Sequence, residues 1–383
     1  MTRHKKRKIT ALVKISTLIA VPLLTSFVAV HIPDIKRFGS IRIGTDENIT
    51  EETTESTTAD IRANEFILSE GYGTSEETDE KPQTTTAGIT EMDSPLDMVS
   101  ENAGEKPYPS EDSWTAGGVI VRTTYGTYSG NSFFDLDNGG QVNNQSSISN
   151  ETLLSESRCG ADFTVDDTDG PLVLIYHTHT TESFEPYVRE NYDADFNYRT
   201  TDETKNMVMV GDAIQSELEA QGIGVIHART IHDYPSYNGS YGRSRETIVP
   251  ILEEYPSIKV VLDIHRDAVS GEGVAYQPYV EIDGKESAQI MIISGCDDGT
   301  LGMPNFMKNF HFACRLQEQL ENDYPNLTRP ILFDYRQYNQ DLTTGSLLIE
   351  VGSHGNTLEQ VQYAGQLIGR SLGRLLNFMK GEN

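Results

Sequence analysis

Three apolar runs, far apart in the chain, each break off at a histidine or a carboxylate. They are PLVLIYHTHTTESF (171–184), IKVVLDIHRDA (258–268) and GSLLIEVGSHGNT (345–357). Short continuous apolar runs suit strands buried on both faces of an α/β sheet, and ligands of such sheets bind outside the carboxyl ends of the strands. His177, His179, Glu182, His265 and Glu350 are therefore expected to meet in one crevice. Two or three His and Glu ligands with a spare Glu beside an open metal position is what water-activating zinc hydrolases use. The metal brings the pKa of its water to roughly 7 and the carboxylate takes the proton.

From Gly170 onward strands and helices alternate. KNMVMVGDAIQSELEA (205–220) has Met207, Val210, Ile214 and Leu218 at helical spacing and Gly222 as its stop. GIGVIHA reads as a strand and residues 244–255 as a helix leading into a strand at 258–264. YVEI and QIMIISG read as strands, KNFHFACRLQEQLEN as a helix, SLLIEVG as a strand, and TLEQVQYAGQLIGRSLGRLLNFM as a long amphipathic helix. The order predicts an α/β fold: a mostly parallel, twisted sheet with helices on both faces, filling a catalytic domain over 170–383. Residues 117–169 read as an irregular β prelude, with a short strand in GGVIVRTTYG followed by Gly, Asn and Ser-rich turns.

Much of the remaining chain is not fold. Residues 1–8 form a basic tail, and 9–31 are nearly free of charge, interrupted only by Lys14, long enough to cross a bilayer at about 20 residues. The Lys/Arg flank keeps the tail cytoplasmic and places the rest outside the cell membrane, single-pass. A cleaved signal peptide is the competing reading, because SFVAV offers small residues; the long apolar run and the lack of a clear A-x-A site favour an uncleaved anchor. Residues 32–116 are rich in Glu, Asp, Thr and Ser and read as a disordered acidic linker, too poor in apolar side chains to offset the entropy of ordering. The linker supplies a large share of the net charge of −28, and no basic stripe suits nucleic acid. The three cysteines, Cys159, Cys296 and Cys314, lack C-x-x-C spacing, so no zinc-thiolate site is expected. Either Cys296 pairs with Cys314 or the thiols are buried and unpaired.

Of the strand-end residues, His179 reads as a metal ligand. His177 reads as a second ligand or as a donor orienting one, since residues i and i+2 of a strand share a side. His265 reads as a ligand whose tautomer Asp263 fixes from one pleat back, with Arg266 and Asp267 marking an open rim where they orient ligands or meet substrate. A carboxylate inside an apolar strand is costly unless compensated, so Glu350 reads as general base and acid beside the metal's water. The third ligand is Glu182 if the turn after the first strand bends back, with Glu203 at the following helix start as the alternative. Glu185 and Glu190 read as solvated loop charges.

At YHTHTTESF, VGDAI…LEAQGIGVIHART, LDIHRDA and SLLIEVGSHGNTLEQ, from about Val119 to the C-terminus, the chain resembles the stage II sporulation protein P family of spore-forming bacteria. That family is similar to the wider zinc-dependent N-acetylmuramoyl-L-alanine amidases. Carried over, the zinc site becomes His179, a Glu, His265 and Glu350. Y-H-T-H stands where the wider group has P-G-H-G, which leaves His177 and His179 as alternatives, and Glu203 stands where the wider group places its ligand Glu. The resemblance implies hydrolysis of the amide between N-acetylmuramic acid and L-alanine in peptidoglycan, with some members also cutting stem-peptide cross-links, during engulfment. It implies the stage II sporulation proteins D and M as partners, in the space between mother cell and forespore. The other readings are an anchored, non-catalytic module that binds wall and recruits a partner, and a zinc peptidase or deacetylase. H-E-x-x-H, the commonest peptidase motif, is absent.

Overall fold

A computed structural model describes residues 108–381 apart from 111–113, 167–169 and 272. The tail, the anchor and nearly all of the linker lie outside the described residues. Among those described, no helix is long and apolar enough to cross a membrane. The chain runs through β1 (Ala116–Thr123), β2 (Phe133–Asp135), β3 (Gln141–Asn144) and α1 (Asn150–Glu156) to β4 (Val173–Tyr176), β5 (Asn191–Asp193), α2 (Met207–Glu219) and β6 (Val225–His227). It continues through α3 (Ser240–Glu254), β7 (Val260–Asp267), β8 (Ser270–Gly271), β9 (Val274–Ile282), β10 (Lys285–Ala288) and β11 (Ile290–Cys296). It closes with α4 (Phe306–Asp323), β12 (Ile331–Tyr335), β13 (Ser346–Ser353) and α5 (Leu358–Gly381).

The main sheet has the strand order β2-β3-β12-β11-β13-β7-β4-β6. Pairing is parallel except where β13 meets β11 and where β2 meets β3, so the sheet is mostly parallel. Alternation along each strand sorts its side chains. Val173, Ile175, Leu262, Ile264, Leu347, Ile349 and Val351 turn to one face and form the large core with α2, α4 and α5. Leu174, Tyr176 and Val261 turn to the other, where Ile248 of α3 covers them, while Met291, Ile293, Leu332 and Leu348 form a separate small cluster. Helices thus cover both faces, unequally.

α2 starts where the Asn206 side chain accepts the Val208 N–H at 3.0 Å, and it stops at Gly222, whose φ of +77° suits glycine. α5 lies close on α2 because its glycines recur every fourth residue. A Cβ built on Gly369 would sit 2.7 Å from the Ile214 carbonyl oxygen, so only glycine allows this approach.

Two expectations need correction. Residues 117–169 are not a prelude laid on the domain: β3 pairs with β12 inside the main sheet, and β1 is central to a second sheet of order β10-β9-β1-β5, with β8 beside β9. That second sheet joins strands more than a hundred residues apart, β1 running parallel to β9, a pairing no local pattern announces. Cys296 and Cys314 are both free and buried, so the disulfide reading falls and the unpaired one holds for them, whereas Cys159 is free but exposed.

Candidate metal centre

Register sets the first two residues. β13 lies parallel to β7 with Glu350 opposite His265, on the sheet face that α3 covers only in part. Asp263 lies one pleat back on the same face, its Oδ1 2.8 Å from His265 Nε2. That contact is close but not aligned as a good hydrogen bond. Asp263 in turn accepts the Thr178 N–H at 2.8 Å and its hydroxyl at 2.7 Å, tying β7 to the loop after β4. His265 therefore presents Nδ1 to the pocket, 3.8 Å from Glu182 Oε2.

The loop from 177 to 183 supplies the other two. β4 ends at Tyr176 and the chain turns at once, so Glu182 folds back beside His179 with Oε1 3.6 Å from its Nδ1. Polar side chains fix this turn. Buried Asp233 accepts the Thr181 N–H at 3.0 Å, the Thr181 hydroxyl at 2.7 Å and Arg199 Nη1 at 2.7 Å. The Thr180 hydroxyl donates to the His177 carbonyl at 2.8 Å, and the Arg266 N–H donates to Glu182 Oε2 at 3.1 Å.

His179, Glu182 and His265 are all buried and bring one ligand atom each within 4.8 Å of one another. Burial keeps His179 neutral, its pKa lowered despite the Glu182 carboxylate beside it, which leaves a lone pair for a metal. Burial alone would raise Glu182, but His179, Arg266 and His265 outweigh it and hold the carboxyl well below its usual range. At His265 burial opposes the charged ring, yet Asp263, Glu182 and Glu350 raise its pKa to about 10. The carboxylates that retain a proton there are those a divalent cation would neutralise in its place. Two imidazoles and one carboxylate facing an open pocket fit catalytic zinc.

The pocket is walled by residues that the strand pattern did not reveal. The Tyr237 ring lies 4.4 Å from the His179 ring, and Tyr241 stacks on Tyr338 at 5.1 Å. Arg199 lies over Tyr237 and Arg336 over Tyr338, putting two cations at the rim. The three tyrosines of IHDYPSYNGSYGR (231–243) were the available signal.

His177, Glu203 and Glu185 are placed otherwise than expected, and Arg266 and Asp267 only in part. His177 does not join the group, because the strand ends before it and the i, i+2 rule no longer holds. Its Nδ1 lies 2.9 Å from the Ile264 carbonyl oxygen and its Nε2 2.8 Å from His227 Nε2, under α2, where Gly211 leaves space for both rings. Glu203 is half-exposed and pairs with Arg229 at 3.1 Å, away from the group. Arg266 turns its guanidinium to the Ser183 carbonyl at 2.9 Å, and Asp267 pairs with Arg329 at 2.8 Å, so both brace loops, although they border the pocket. Glu185 is not solvated: it is buried, accepts the Tyr198 hydroxyl at 2.6 Å and pairs with Arg189.

With this geometry in hand, the family model of stage II sporulation protein P matches residues 48–373. The chain belongs to that family. Stage II sporulation protein P of Bacillus subtilis (strain 168) is 31% identical over 207 residues, which is 51% of this chain and 49% of that protein. The match thus spans about half the length of that curated relative. Among solved structures, N-acetylmuramoyl-L-alanine amidase AmiC2 of Nostoc punctiforme is 12% identical, covering 55% of this chain and 98% of its own, with a TM-score of 0.33. An N-acetylmuramoyl-L-alanine amidase from Clostridium difficile 630 is 17% identical, covering 56% of this chain and 100% of its own, with a TM-score of 0.32. At TM-scores this low the overlaps do not bear on the chemistry.

Proposed function

We propose that the chain is a peptidoglycan hydrolase that cleaves the N-acetylmuramoyl-L-alanine amide, with His179, Glu182 and His265 holding zinc. The observation that carries this reading is the convergence of those three buried groups, with Glu350 in register beside His265 on the same pocket. Zinc bound there would lower the pKa of a water and polarise the scissile carbonyl. Glu350 would take the water's proton and pass it to the leaving amine. Asp263 would orient His265, and the Arg266 backbone N–H would orient Glu182. Arg199 and Arg336 border the pocket, each paired with an aspartate, Asp233 and Asp334, and the tyrosine walls would hold the substrate chain in place.

Membership of the family supports the substrate and the setting. In that setting residues 9–31 anchor the protein, 170–383 act outside the membrane between mother cell and forespore, and stage II sporulation proteins D and M are its partners. Cutting of stem-peptide cross-links is a second activity of the same site. The test is mass spectrometry of peptidoglycan digested by the zinc-loaded protein, which should release peptides headed by L-alanine. Glu182→Ala should lose that zinc and the release, whereas Glu203→Ala should keep both. Intact stem peptides on every glycan would overturn the reaction, and loss of zinc from Glu203→Ala alone would move the ligand to the helix start.

A further inference from the structure

A second group of ligand-type side chains lies where α1 meets α4, outside the pocket. α1 ends at Glu156, and the next turn returns the chain so that the Cys159 N–H donates to the Glu156 carbonyl at 2.9 Å. His311 reaches them from α4, with its side chain only 10% exposed. Its Nε2 lies 2.8 Å from Glu156 Oε2 and its Nδ1 2.6 Å from Asp162 Oδ2. The Cys159 sulfur, a Glu156 oxygen and a His311 nitrogen all lie within 4.8 Å of one another. Arg158 turns away to Asp137 at 2.8 Å, so two carboxylates converge on one imidazole.

We propose that Glu156, Cys159 and His311 form a second zinc site, with a water as fourth ligand and Asp162 orienting the ring. With zinc bound, Asp162 would accept from Nδ1–H and leave the Nε2 lone pair facing Glu156 and Cys159, the arrangement that zinc-bound histidines ordinarily have. At 2.8 Å a proton bridges Nε2 and the Glu156 carboxylate, so zinc entry displaces that proton and parts the two atoms by roughly 0.5 Å or more. With the ring doubly protonated and the thiol intact, the four groups sum to one negative charge. Binding zinc displaces one proton from Nε2 and one from the thiol, and the sum is unchanged. Sulfur, nitrogen and oxygen together select zinc over magnesium or calcium. Ligand atoms on tetrahedral zinc stand roughly 3.3–3.8 Å apart, given bonds of about 2.0–2.3 Å. Exposed Cys159, just past a helix end, has the freedom to close that remaining distance. Cysteine spacing did not suggest this site because its thiol is single and its partners come from α1 and α4.

The test uses the full chain loaded with Co²⁺ in place of zinc. A thiolate ligand gives a sulfur-to-cobalt charge-transfer band in the near ultraviolet, and the pocket group contains no sulfur. Wild type and His265→Ala should both show the band, and Cys159→Ser and His311→Gln should lose it. Zinc content should be two per chain in wild type and one in Cys159→Ser, and zinc should slow alkylation of Cys159 in the unaltered protein at least tenfold. No band in wild type, a band that survives Cys159→Ser, or alkylation at the same rate with and without zinc would overturn the proposal. Loss of one zinc from His265→Ala with the band intact reports the pocket separately.

Discussion

Asp233 does not touch the proposed metal position, yet the turn that carries His179 and Glu182 depends on it. Replacing it with Ala removes the acceptor of two Thr181 bonds, at 3.0 and 2.7 Å, and the charged partner of Arg199 at 2.7 Å. Each buried donor left without its acceptor costs about 1–3 kcal/mol, and breaking a buried ion pair costs about 3–5 kcal/mol. Arg199 keeps its stacking on Tyr237 and lies 3.8 Å from Glu182, so part of the pair's cost is recovered. At least about 3 kcal/mol of lost stability is the expected net. Zinc affinity should fall about 10–100-fold, because the ligands lose the partners that orient them. Asp233→Asn keeps one acceptor and should fall between. The assays are denaturant unfolding of the zinc-free protein and competition with a chelator for the metal. Asp233→Ala with wild-type stability and wild-type zinc affinity would refute the argument that this carboxylate holds the turn.

Gly369→Ala should destabilise by about 1–3 kcal/mol, because its Cβ would meet the Ile214 carbonyl oxygen at 2.7 Å, although alanine favours helix. Gly242→Ala in α3, where nothing lies within 4 Å, should stabilise by about 0.4–1 kcal/mol, and paired urea melts that failed to show opposite signs would contradict this packing. Burial, aided by Arg229, lowers the His227 pKa to about 4, below the roughly 6.5 of an unfolded chain. That contribution to stability is therefore whole above pH ~6.5 and lost as pH falls through about 4, up to about 3 kcal/mol. His227→Gln should flatten this acid limb, and parallel pH–stability curves would count against it.

What the sequence revealed follows from where each residue stands. His265 and Glu350 lie inside strands, where a period of two fixes the face, so their approach could be read from KVVLDIH and LLIEV. His177 and His179 lie past the end of β4, where the period no longer applies, and which of them faces the pocket is set by Asp233 and Asp263, distant in sequence and brought to the turn only by the fold. Helices α2, α4 and α5 were legible from their apolar spacing and stop signals. The second sheet was not, because β1 finds β9 through pairing between distant segments, and the antiparallel contact of β13 with β11 leaves no mark in either strand. Glu185 read as a loop charge because its partners, Arg189 and Tyr198, gave no periodic signal.

The central claim is that Glu350 moves the proton while His179, Glu182 and His265 hold the metal. Glu350→Gln keeps volume and hydrogen bonding but removes the group that accepts a proton. Release of L-alanine-headed peptides from purified peptidoglycan should fall by about 10²- to 10⁴-fold at a zinc content equal to wild type. Undiminished release at equal zinc content would contradict it.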